Sequence, residues 1–135
     1  DHAQFGLPEP RVGLAALAGG IHRLPRQIPQ KIAMGMLLTA KPISAQEAYR
    51  VGLVNEVVPL DELLPTAERW AAEVLECAPL SVRGTKTAAY EGMALPLESA
   101  ISRSYFGVQQ HLASADAVEG PRAFADKRAP DWTGA

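Results

Sequence analysis

The sequence predicts a mostly helical segment that closes an α/β fold, and three observations carry this. Residues 3–7, Ala3-Gln4-Phe5-Gly6-Leu7, form a strand-type run that stops at Pro8. From residue 30 onward the apolar side chains recur mainly at helical spacing. A single short strand cannot satisfy its own edges. The sheet it belongs to is therefore expected to have its other strands elsewhere, and the 135 residues are read as the C-terminal half, or a fragment, of a larger protein.

Taken in order, Pro8 and Pro10 flank Glu9, and neither can donate to a ladder. From Gly19 a short helical turn is expected, ending near Pro25. Pro29 suits the first helical position of a helix over Gln30 to Thr39, where Ile32, Ala33, Met36 and Leu37 form a buried face. Ser44 reads as the N-cap of Ala45 to Val51, with Glu47 completing a capping box and Gly52 as left-handed C-cap. Leu53 to Val58 is a second, short β-type run.

After Pro59 the pattern is wholly helical. Asp61 is expected to cap a helix whose Leu63, Ala67, Trp70, Ala71 and Val74 share one face. Pro79 opens another, reaching about Glu91. A longer helix from Pro96 carries Ala100, Ile101, Ser104, Tyr105, Val108 and Leu112. Asp116 with Glu119 gives a second capping-box pattern before a last helix through Phe124, Lys127 and Arg128. Trp70, Tyr105 and Phe124 fall at helical spacing among apolar residues, so core or subunit interface is expected of them.

Composition excludes several classes of function. The chain is 47% hydrophobic and 21% charged with a net charge of −2, without the Lys and Arg excess that nucleic-acid binding requires. Its apolar runs are far shorter than the ~20 residues needed to cross a bilayer. No signal peptide is visible, and the one cysteine, Cys77, excludes an internal disulfide and a cysteine-cluster metal site. Cys77 reads as a buried, inert thiol in a cytoplasmic protein.

A lone acid on a loop between apolar elements is how proteins place a general acid/base. Glu9 occupies such a loop, followed by Gly13 and the Gly19-Gly20 pair. Without further context Glu9 would read as a solvated loop acid, and the glycines as a turn and a helix start. His22, in the first helical turn, reads as structural or exposed.

The order and spacing of these residues resembles the crotonase (enoyl-CoA hydratase/isomerase) family. Phe5-Gly6-Leu7-Pro8-Glu9 is similar to the segment that delivers its second catalytic glutamate. Leu38-Thr39-Ala40-Lys41-Pro42-Ile43-Ser44-Ala45-Gln46-Glu47-Ala48, then Gly52-Leu53-Val54-Asn55-Glu56-Val57-Val58, resembles a second family stretch, with Ala40 where glycine is usual. Ala78-Pro79-Leu80 with Lys86, and Ser114 through Arg128, resemble its C-terminal helices; the ending Ala129-Pro130-Asp131-Trp132-Thr133-Gly134 most resembles the carnitinyl-CoA dehydratase-like branch.

The resemblance implies a fold and an activity. Residues 1–77 would end a spiral of ββα units and carry the active-site loop; residues 78–135 would be a helical region that assembles homotrimers or hexamers. The activity would be acyl-CoA hydration or dehydration, with Glu9 as general acid/base, a coenzyme A thioester as substrate and no further cofactor. Gly13, Leu17 and Gly19 would line the acyl pocket, Leu17 standing where glycine is often found. Lys127 would reach a phosphate of coenzyme A bound by a neighbouring subunit, against the plainer reading of a lysine favouring a helix dipole. The oxyanion N–H groups and the first catalytic acid would lie in segments upstream of residue 1, so these residues by themselves are expected to be inactive. Isomerase and hydrolase chemistry on the same fold, and a non-catalytic helical assembly fragment, are the alternatives.

Overall fold

A computed structural model describes residues 1–135. It divides into two compact units, Asp1–Thr66 and Ala67–Ala135.

In the first unit, strand β1 (Gln4–Phe5) pairs antiparallel with β2 (Ile43–Ser44), Gln4 opposite Ser44 and Phe5 opposite Ile43. A 3-10 turn over Glu9–Val12 follows β1. Helices α1 (Gly20–Gln27) and α2 (Gln30–Thr39) supply Leu24, Ala33 and Met36 to a core shared with Ile28 and Val51. Helix α2 has the expected limits, because its apolar spacing is local information. Pro29, however, sits just outside it as the N-cap, with extended ψ of 128°. Helix α1 runs on past Pro25 to Gln27, since burying Leu24 and Ile28 outweighs the hydrogen bond that proline cannot donate.

Helix α3 (Ala45–Arg50) starts as expected: Ser44 Oγ accepts the Glu47 N–H at 3.2 Å. The box is not completed, because both Glu47 oxygens accept from Arg50 instead, at 2.6 Å each. That pairing holds the Glu47 carboxyl below its usual range. Gly52 takes the left-handed conformation, φ 79°. Ala40, which ends α2, is also left-handed at φ 54°, which gives the family's usual glycine there a physical reason. Leu53–Val58 forms no strand: the Leu53 and Val54 N–H groups both turn back to the Ala48 carbonyl, at 2.8 and 3.4 Å.

Asp61 lies inside a 3-10 turn, Leu60–Glu62, and does not cap the helix that follows, α4 (Leu63–Leu75). Helix α4 buries none of its residues. Cys77, just beyond it, is exposed, contrary to expectation, because its side chain lies on the same uncovered surface as α4.

The second unit is built on α5 (Pro79–Gly92), which packs across α7 (Phe106–Leu112). The long helix expected from Pro96 is two helices, α6 (Leu97–Ser102) and α7, broken at Arg103, whose ψ is 137°. The break turns the chain so that Gly107 meets Gly84 backbone to backbone. Tyr105 marks the corner, its hydroxyl donating to the Ala100 carbonyl at 3.0 Å. Helix α8 (Asp116–Ala125) stops two residues short of Lys127, and the tail returns to pack Trp132 against Gly120. No helix is long and apolar enough to cross a membrane.

Candidate functional site

Glu9 opens the 3-10 turn that β1 delivers, and the backbone around it is closed by hydrogen bonds. Arg11 N–H donates to the Pro8 carbonyl (3.0 Å), Gly13 N–H to Pro10 (3.3 Å) and Leu14 N–H to Glu9 itself (3.0 Å). Prolines on both sides fix φ there. The Glu9 side chain is half-buried, and its Oε2 atom is fully covered with no hydrogen-bond partner. An unsatisfied buried oxygen costs about 1–3 kcal/mol. Such an oxygen is uncommon in a native fold and calls for an explanation.

The expected pocket residues continue from this turn. Gly13 closes it in the left-handed region, φ 75°, with open space where a Cβ would be. Leu17 is 77% exposed. Gly19 caps α1 at φ 106°, a conformation that requires glycine. Sequence reasoning gave no separate role to Gly20, yet a Cβ there would lie 2.8 Å from Leu7 Cδ2 and 3.0 Å from Ala16 Cβ. That close approach fixes the start of α1 against the strand-to-turn segment. His22 is exposed; its N–H donates to the Gly19 carbonyl at 3.1 Å and its carbonyl accepts from Arg26 Nη1 at 2.6 Å. A cavity of about 370 Å³ beside β1, lined by Phe5, Leu7, Arg23, Leu24, Met36 and Leu53 among others, does not include Glu9. No three His, Cys, Asp or Glu side chains gather as a metal site.

Lys127 lies in the second unit. The structure places it beyond the end of α8, at φ 54°, exposed and without an ion pair. The reading of Lys127 as a helical residue in the last turn is therefore corrected. The cap expected from Asp116 is also displaced: Ser114 Oγ accepts the Ala117 N–H at 3.3 Å. Asp116, 2% exposed, instead grips the tail, Oδ1 accepting from Thr133 N–H (2.8 Å) and Oγ1 (3.0 Å), Oδ2 from Gly134 N–H (3.0 Å). Glu119 accepts both Arg128 guanidinium nitrogens (2.6 and 3.0 Å) and the Asp131 N–H (2.9 Å). Sequence reasoning missed this clasp because its partners lie nine to eighteen residues apart.

These contacts hold Asp116 below the usual carboxylate range, chiefly through the Thr133 N–H, and Glu119 at about 2, chiefly through Arg128. A carboxylate whose folded pKa is depressed contributes stability above its unfolded value, lost as pH falls through the folded one. The tail is thus expected to stay docked at neutral pH and to release as pH drops from about 4.5 toward about 2. Trp132 reports the change, since its Nε1–H donates to the Glu76 carbonyl at 2.8 Å. Fluorescence of a Trp70→Phe variant titrated with acid checks this, and a transition centred above pH 5 would contradict it.

The family of proteins described as enoyl-CoA hydratase/isomerase matches residues 1–135. The chain belongs to that family. Its helical architecture matches solved members: a protein assigned as a short chain enoyl-CoA hydratase from Novosphingobium aromaticivorans DSM 12444 is 44% identical with a TM-score of 0.93, over 98% of this chain and 53% of that one. An enoyl-CoA hydratase from Mycobacterium tuberculosis H37Rv is 34% identical with a TM-score of 0.90, over 99% and 53%. Among curated relatives, the carnitinyl-CoA dehydratase of Salmonella typhi is 39% identical over 138 residues, 99% of this chain. The chain spans about half the length of the curated relatives it matches, 53% of that one. The expected fold class, a mostly helical part of the crotonase fold, is what the structure has.

Proposed function

We propose that the complete protein is an acyl-CoA hydratase or dehydratase, adding water across C2=C3 of an enoyl-CoA thioester or removing it. The observation that carries this is the covered, unpartnered Glu9 Oε2 on its hydrogen-bonded turn. In hydration, a second acidic residue, as its carboxylate, takes a proton from water as the water oxygen bonds C3, and the thioester carbonyl takes up the electron pair as an enolate; protonated Glu9 then gives its proton to C2. In dehydration, the Glu9 carboxylate removes the C2 proton, the enolate forms, and hydroxide leaves C3 with a proton from a second acid. Preorganised N–H donors stabilise the enolate oxygen. In this reading those donors and the second acid come from segments outside these 135 residues.

Gly13, Leu17 and Gly19 line the acyl side of this site, and the exposed Leu17 side chain narrows the space a glycine would leave. Lys127 meets a coenzyme A phosphate as a mobile point charge. The thioester is the substrate and no additional cofactor is needed. Such a protein belongs in fatty acid metabolism in a reducing cytoplasm, which suits an exposed Cys77 in a chain without a second cysteine.

The test is to supply a short 2-enoyl-CoA to the complete protein in heavy water and weigh the product. The expected product is a 3-hydroxyacyl-CoA carrying deuterium at C2. A shifted double bond, or the free acid with no hydroxyacyl thioester, would replace hydration by isomerisation or hydrolysis; no conversion would leave the helical assembly reading.

A homotrimer or hexamer through the C-terminal helices is part of the same proposal. Helix α4 leaves Leu63, Trp70 and Val74 uncovered on one face, and Phe124 on α8 is 87% exposed. Monomers seldom leave large apolar side chains open in such number. Sedimentation equilibrium of the complete protein is expected to give three or six subunits, and a stable monomer would contradict it.

A further inference from the structure

Helix α8 ends in a Schellman motif: Lys127 N–H donates to the Phe124 carbonyl (3.2 Å) and Arg128 N–H to the Ala123 carbonyl (3.1 Å). The left-handed position between those two bonds is the one glycine fills at least cost, and Lys127 holds it at φ 54°. The side chain is exposed and makes no ion pair, so the cap does not account for a lysine here. A strained residue kept without a structural return points to a function for its side chain.

The neighbours of Lys127 are arranged differently. Arg128 is tied to Glu119 by two guanidinium bonds, its Nη1 also donates to the Ala129 carbonyl at 3.1 Å, and its Nε lies 3.6 Å from Asp126 Oδ2. Glu119 Oε1 takes the Asp131 N–H as well, so one carboxylate on α8 fixes the chain at two points just past Lys127. Glu119 is thereby engaged by Arg128 and Asp131 rather than by the Lys127 ammonium. The turn is immobilised while one cation on it stays free.

We infer that Glu119 is a positioning residue for Lys127: by clamping Arg128 and Asp131 it holds the left-handed turn that presents the Lys127 ammonium to a phosphate of the bound thioester. This rests on the proposal that Lys127 meets that phosphate. Glu119 touches no substrate, and its effect passes through the turn.

The experiment is a double-variant cycle on the complete protein, reading kcat, KM for a 2-enoyl-CoA and the melting temperature. Lys127→Gly is expected to raise KM about tenfold with kcat unchanged, the size of one lost charge-assisted contact, while the melting temperature rises because glycine suits the turn. Glu119→Gln is expected to raise KM several-fold, again with kcat unchanged, and to add nothing to KM when Lys127→Gly is already present. If Lys127→Gly leaves KM unaltered, the phosphate contact is wrong and the inference falls with it. If Lys127→Gly raises KM but Glu119→Gln does not, or multiplies its full effect in the double variant, the phosphate contact stands and the positioning role is overturned. Should Glu119→Gln fail to fold, Arg128→Lys, which keeps the charge and loses the two-pronged bond, is read in the same way.

Discussion

Replacing Glu9 by glutamine in the complete protein is expected to lower kcat for an enoyl-CoA thioester by about 10²–10⁴-fold, the usual contribution of a positioned acid/base. Glutamine keeps the shape of glutamate and loses only the ability to take and return a proton at C2. KM is therefore expected to change little, since the thioester contacts lie elsewhere. The fold should tolerate the change without loss. Oε2 is covered and accepts no hydrogen bond, so glutamine removes no hydrogen bond at that atom. The turn itself is closed by backbone bonds of Arg11, Gly13 and Leu14, which the substitution leaves alone. A large fall in kcat with an unchanged or higher denaturation midpoint would identify an acid kept for chemistry at a cost in stability. A rate within a factor of two of the parent protein would remove Glu9 from the mechanism. A protein that no longer folds would make it a structural acid.

What the sequence discloses about this chain follows the range of the forces involved. Helix α2 is legible to the residue because its face, Ala33 and Met36 with Ile32 and Leu37, repeats at short spacing. The Ser44 cap is legible because its bond spans three residues. The same capping pattern at Asp116 and Glu119 misleads, since tail donors more than ten residues away outcompete the local ones. The break at Arg103 escapes periodicity because its cause is a backbone meeting between Gly84 and Gly107. Leu53–Val58 has strand composition, yet with only β1 and β2 in the sheet no partner offers it a ladder. At the candidate site, it is the family resemblance, not residue types and spacing alone, that points to Glu9, Gly13 and Gly19. The orphaned oxygen that gives Glu9 its significance, and the left-handed φ of Lys127, are visible only in three dimensions.

The largest stability effect is expected at that glycine meeting. A Cβ on Gly84 would lie 2.7 Å from the Gly107 oxygen, 2.8 Å from its carbonyl carbon and 3.1 Å from the Val108 nitrogen. All three are backbone atoms of α7, which cannot rotate aside as a side chain can, so α5 and α7 must separate. Overpacking a close contact costs about 1–3 kcal/mol where side chains can shift. Here they cannot, and Gly84→Ala is expected at the upper end, about 3 kcal/mol, with Gly84→Val beyond what the α5–α7 pair can absorb. Helix propensity works the other way, favouring alanine over glycine by roughly 0.5–1 kcal/mol inside a helix. Gly35, within α2 and with open space around its would-be Cβ, isolates that opposing contribution. Gly35→Ala is therefore expected to raise the denaturation midpoint, and Gly84→Ala to lower it steeply, although both make the same chemical change in the middle of a helix. Circular dichroism through urea titrations of the two variants reads the difference. An unchanged midpoint for Gly84→Ala would mean that α5 and α7 do not meet at Gly84 and Gly107. The break at Arg103 would then lose its physical cause, because the turn there exists to bring Gly107 onto Gly84.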